Sequence, residues 1–187
     1  PAAPRAPEPR LPPKCARNVI FLIGDGFGPA YVTLARGVAG RPLAFDPHLV
    51  GSAATASQSS RVTDSGAAAT ALACGIHTGN NAIAVDTAGR PVRTILEAAE
   101  ARGLATGLVV TCRLTHATPA AFASHAARRS DEDGIARQLL EHGIEVLLGG
   151  GEGNFRPRGA TGGRSDGLDL ARIAELRGVQ VVRDRAG

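Results

Sequence analysis

The sequence predicts an α/β protein with a mostly parallel central sheet and helices on both faces. Three observations predict it: a short unbroken apolar run closed by glycine, helices that carry both start and stop signals, and a strand-like run directly after each such helix. Strands of a parallel sheet are covered on both sides, so they read as continuous Val, Ile and Leu stretches rather than as alternation.

In chain order, residues 1–13 hold six of the twelve prolines in the 187-residue sequence. Such a stretch forms neither helix nor core and is expected to be an extended linker. The division that follows is a proline-rich leader over 1–17 and an ordered α/β part over 18–187. No charged start and long apolar stretch mark a signal peptide, although a proline-rich leader often follows one that has been removed. The absence of methionine fits a terminus that is processed or cut from something longer. Val19 to Ile23, bounded by Gly24, reads as a central strand. Thr94 to Arg102 reads as a helix with a Thr94/Glu97 capping box and Gly103 at its end, feeding a strand over Ala105 to Thr111. Ser130 to His142, closed by Gly143, and the run Ile144 to Leu148 repeat the pattern. Asp166 to Arg177, Gly178 and Val179 to Val182 repeat it once more.

Composition narrows the function classes. The net charge is +4, but arginine supplies all the basic groups except Lys14, the arginines are scattered, and aromatics are only 3%. Nucleic-acid recognition needs a basic stripe with stacking side chains, and none is present. The longest strongly apolar run, Val19 to Ile23, is far short of the roughly 18 to 20 residues a membrane span requires. Cys15, Cys74 and Cys112 are too few and too irregular for a disulfide framework or a metal knuckle, and whether Cys74 and Cys112 pair stays open.

Ligands of open α/β sheets bind beyond the carboxyl ends of strands, and three loops there carry chemistry. Gly24-Asp25-Gly26-Phe27-Gly28 places one carboxylate on a tight turn, where it serves a divalent cation or bonds local amides. Val62-Thr63-Asp64-Ser65-Gly66 precedes an alanine-rich helix. Ser65 at a helix start suits attack on a phosphoryl group, and Asp64 or Ser65 equally suits a plain N-cap. No elbow motif or Ser-His-Asp spacing surrounds Ser65, so a metal is the expected activator. The strand ending at Thr111 feeds a loop containing His116, Thr118 and Pro119 and then a helix expected to end near Arg128 and Arg129, with Pro119 suited to its first turn. Thr118 offers a hard oxygen for magnesium or caps the helix. Arg129 offers a phosphate fork or sits on a solvated helix end, and His116 and His125 are otherwise ordinary histidines.

Together, Asn18 through Gly28, Val62 through the alanine-rich helix, and His116 through Arg129 resemble the ordered motifs of the alkaline phosphatase family. The resemblance implies hydrolysis of phosphate monoesters through a phosphoserine at a site with two zinc ions and one magnesium. By it, Ser65 is the nucleophile and a ligand of the second zinc, Asp25 bridges that zinc and the magnesium, and Thr118 binds the magnesium. Arg129 clamps two nonbridging phosphate oxygens, Asp64 orients Arg129, and His116 lies beside the third site without holding its metal. His116 stands where one form of the family has Asp, which weakens magnesium there and favours a softer ion. The resemblance also implies a secreted, periplasmic or cell-surface location and a homodimer in the complete protein.

The family's further zinc ligands and its magnesium Glu are not found, since no Asp-x-x-x-His pair and no Asp-His dipeptide occur. The polypeptide as written is therefore expected to hold about half a site and to be inactive alone. Two other readings remain: a fragment that binds phosphate or metal without turnover, and a related phosphodiesterase. A sulfatase does not fit, because Ser65 is followed by Gly66-Ala67-Ala68.

Overall fold

The computed structural model of the protein describes residues 16–159 and 163–184. Nearly all of the expected leader lies outside the described residues. By contacts the chain divides into two compact units, Pro1–Leu43 and Ala44–Gly187.

In the first unit the run Val19 to Ile23 is not part of a sheet, and Val19, Ile20 and Leu22 are 84–88% exposed. The expected central strand is thus absent. A strand exists through its ladder, and no described segment forms one with this run. The turn after it does form. The Phe27 amide bonds the Gly24 carbonyl at 3.1 Å with Gly26 at φ +71, a positive φ that the third position of a type II turn requires. Helix α1 (Pro29–Ala39), which was not among the expected helices, starts with Pro29 in its first turn and stops at left-handed Gly40.

In the second unit, α2 (Ser65–Cys74), α3 (Ile95–Glu100), β1 (Gly107–Arg113), α4 (Ala117–Ala123), α5 (Glu132–Glu141), β2 (Val146–Gly150) and α6 (Leu170–Leu176) follow in order. Strands β1 and β2 run parallel, with Gly107 opposite Val146 and Val109 opposite Leu148. Gly149 permits their approach, since a Cβ there would meet Val110 Cγ2 at 2.6 Å. This is the parallel pairing expected, but β1 alternates exposed and half-buried positions instead of being covered on both faces. Val179 to Val182 does not join it as a further strand.

The capping box on α3 forms with both arms, at 3.1 Å and 2.7 Å. Helix α5 is capped by Asp131, one residue inside the expected start, and α6 by Asp169. The core lies where α2, α3, α4 and α5 meet, and it is largely alanine: Ala67, Ala69 and Ala73 of α2 pack with Ala117, Ala120 and Ala121 of α4. Small side chains let these two helices approach closely, which brings their N-termini into one neighbourhood.

One further expectation is overturned. The helix from His116 does not reach Arg129; it ends at Ala123, where Ser124 turns extended (φ −157) and its hydroxyl donates to the Ala120 carbonyl at 2.7 Å. The chain then runs extended, and Ala126 exchanges both backbone hydrogen bonds with Ile83 at 2.9 and 3.0 Å. Pairing with the 82–85 segment replaces the last helical turn.

Candidate active site

Helix α2 opens at Ser65 because Asp64 caps it. Asp64 Oδ1 accepts the Ala67 amide at 2.9 Å, and Oδ2 accepts the Asn81 amide at 3.0 Å. Asn80 completes the frame: its Oδ1 accepts the Asp64 amide at 3.1 Å and its Nδ2 donates to the Val62 carbonyl at 3.0 Å. The 80–82 loop must lie close for this, and Gly66 is the reason it does, since a Cβ there would sit 2.8 Å from the Ala82 carbonyl oxygen.

The same Asp64 Oδ2 receives Arg129 NH1 at 3.3 Å. On its other arm Arg129 NH2 donates to His116 Nε2 at 3.0 Å. Three chain segments therefore meet at one guanidinium, which is always charged and whose fork is turned by a carboxylate on one side and an imidazole lone pair on the other. The Arg129 amide bonds the Asn81 carbonyl at 2.7 Å, so main chain and side chain are both fixed. The Arg129 side chain stays 26% exposed, leaving the rest of its fork for an anion.

Of the residues singled out in the sequence, the structure thus joins Asp64, His116 and Arg129 directly, with Ser65 adjacent to Asp64 at the first turn of α2. Asp64 is the N-cap of α2, and its second oxygen also meets Arg129. Ser65 is half-buried, and Thr118 is half-buried in the first turn of α4, two residues beyond His116. Pro119 sits at the third position of that helix. Asp25 belongs to the first unit, on the glycine turn described above.

Several residues that support this arrangement carried no motif. His125 places Nδ1 2.8 Å from the Ala84 carbonyl and Nε2 2.8 Å from Glu97 Oε1. Gln138 grips the same residue's backbone in both directions, at 2.8 and 3.0 Å. The segment leading to Arg129 is held at its start by these bonds. Glu132 of α5 binds Arg113 through both Nε (3.0 Å) and NH2 (2.9 Å) and also accepts from Thr115, directly before His116. Burial pushes the Glu132 carboxyl up, but the Arg113 and Thr115 bonds outweigh it and hold it below the usual glutamate range. The capping box marked Glu97 in the sequence; its second partner, 28 residues away, left no trace there.

Among the described residues no three His, Cys, Asp or Glu side chains converge as metal ligands. Cys74 and Cys112 are free thiols, and burial, then the Glu97 charge, pushes the Cys74 thiol up to about 11.

The alkaline phosphatase family model matches residues 16–187. The repressible alkaline phosphatase of Saccharomyces cerevisiae is 46% identical over 189 residues, covering 90% of this chain and 33% of the yeast protein. The crystal structure of a cold-active alkaline phosphatase from Shewanella sp. superposes with a TM-score of 0.76 at 39% identity, covering 88% of this chain and 41% of that one. A histidine-to-glutamate mutant of the alkaline phosphatase of the Antarctic bacterium TAB5, with magnesium bound in its M3 site, gives a TM-score of 0.70 at 31% identity over 87% of this chain and 46% of that one. The chain therefore spans between a third and a half of the length of these relatives. With the family model matched over nearly its whole length, the chain belongs to the alkaline phosphatase family.

Proposed function

We propose that this chain supplies the phosphate-binding and nucleophilic half of a phosphomonoesterase site. The observation that carries the reading is the Arg129 guanidinium, oriented by Asp64 and His116 next to the helix start that presents Ser65. Arg129 binds two nonbridging oxygens of the phosphoryl group bidentately and neutralises charge that grows as the phosphorus is attacked. The bond from Ser65 Oγ to phosphorus forms while the ester P–O bond breaks; the alcohol leaves with a proton, and water later releases orthophosphate and restores Ser65. Asp64 keeps the guanidinium from swinging away between turnovers. The family resemblance adds Asp25, Ser65 and Thr118 as oxygen donors to zinc and magnesium, and the magnesium-bound relative from TAB5 supports metal use.

We propose that these 187 residues, in which no Asp-x-x-x-His pair and no Asp-His dipeptide occurs, bind phosphate without turning esters over. A homodimer and a secreted, periplasmic or cell-surface location accompany the same reading through the family. The test is a calorimetric titration of the chain with orthophosphate. Binding that weakens by about tenfold or more in Arg129→Ala supports the reading; no binding, or binding indifferent to Arg129, removes it. Metal-dependent hydrolysis of an aryl phosphate that Ser65→Ala abolishes would confirm the nucleophile and overturn the proposed inactivity.

A further inference from the structure

Asn80, Asn81, Ala127, Arg128 and Ser130 line a cleft of about 430 Å³. Its two walls are the segments that hold the site together: Asn80 and Asn81 frame Asp64, and residues 127–130 flank Arg129. The residues immediately before and after Arg129 in the chain thus line this cleft. The lining is amide, hydroxyl and guanidinium with a single methyl group, so it offers an aromatic or aliphatic alcohol almost nothing to pack against. Asn81 holds φ +71, a left-handed conformation uncommon outside glycine. Its amide is spent on Asp64 and its carbonyl on Arg129, and that strained backbone still keeps the residue on the cleft wall. Arg128 is exposed and contributes the cleft's charge.

We propose that this cleft receives the organic part of the substrate and that Arg128 selects alcohols bearing a second anionic group, with Asn80, Asn81 and Ser130 hydrogen-bonding its hydroxyls. The inference rests on the phosphate-binding reading of Arg129. Arg128 attracts a carboxylate or second phosphate on the leaving alcohol and repels a cationic one. Arg129 reads the phosphoryl group common to all esters; Arg128 distinguishes what is attached to it.

A matched pair of ligands isolates that charge. 3-Phosphoglycerate and glycerol 3-phosphate differ at the far end by a carboxylate against a hydroxymethyl group, and both are titrated against the full chain and against Arg128→Gln and Arg129→Ala. The expected result is about fivefold tighter binding of 3-phosphoglycerate by the unaltered chain. That preference is lost in Arg128→Gln while glycerol 3-phosphate is held within about twofold. Arg129→Ala weakens both ligands together. Equal affinities in the unaltered chain, or a preference that survives Arg128→Gln, overturns the role of Arg128 and leaves the phosphate site standing. Failure of either ligand to bind the unaltered chain overturns both.

Discussion

Two carboxylates in this molecule do the same local job and serve different ends. Glu97 accepts the Thr94 amide at the start of α3 (2.7 Å), and Asp64 accepts the Ala67 amide at the start of α2 (2.9 Å). Each turns its second oxygen to a nitrogenous side chain: Glu97 to His125 at 2.8 Å, Asp64 to Arg129 at 3.3 Å. The difference lies in what the partner has left. His125 spends its other ring nitrogen on the Ala84 carbonyl, so that network closes within the protein. Arg129 keeps part of its side chain exposed, at 26%. A carboxylate at a helix start stiffens the fold when its partner is saturated, and aims a charge when the partner is not.

The comparison breaks most readily at Glu97. Glu97→Ala removes one arm of the capping box and the His125 partner together, and is expected to destabilise the chain by about 3 kcal/mol in urea unfolding. If stability changes by less than ~1 kcal/mol, the network is not structural in the sense claimed.

Asp64→Asn sharpens the other side. The amide oxygen still caps α2, but the new NH2 accepts neither the Asn81 amide nor Arg129, so the stability cost should be about 1.5 kcal/mol, half that at Glu97. Orthophosphate affinity should fall by about threefold as Arg129 loses its orienting charge. A loss of stability as large as that at Glu97, with phosphate binding unchanged, would erase the distinction between the two sites.

The smallest effect is on acid stability. Burial pushes the Glu97 carboxyl up, yet the Thr94 amide and His125 outweigh it and hold it below the ordinary 4.5. A folded value below the unfolded one means that the contribution is complete above the unfolded value and is lost as pH falls through the folded one. Urea midpoints of the unaltered chain should therefore drop on acidification below pH 4.5, and the drop should be shallower in Glu97→Gln. It should not vanish, because Glu132 is held low as well. Equal slopes for both chains would show that Glu97 gains no charged partner on folding.

Much of this was legible along the chain. The capping box at Thr94 and Glu97 formed with both arms, while the caps of α5 and α6 fell at Asp131 and Asp169, one and three residues inside the expected starts at Ser130 and Asp166. Ser65 at the head of an alanine-rich helix, and the glycine turn around Asp25, were equally local. The apolar runs misled. Val19 to Ile23 and Val179 to Val182 have the composition of strands, as does Ala105 to Thr111, but only the last has a ladder partner among the described residues. The helix expected to reach Arg129 stopped at Ala123 because Ile83, some forty residues earlier, pairs with Ala126.

The sequence by itself determined the capping box of α3, the glycine turn around Asp25 and which residue types could carry phosphoryl chemistry, since these depend on backbone groups within a few positions of one side chain. Only the tertiary structure decided that Asp64, His116 and Arg129 share one guanidinium, that Asn81 is held left-handed beside them, and that Arg128 lines a cleft at their side. Those relations join residues up to 65 positions apart. They follow from the close approach of α2 to α4 and of the 80–85 segment to both, and packing of small side chains across a core is not encoded in any one stretch of chain.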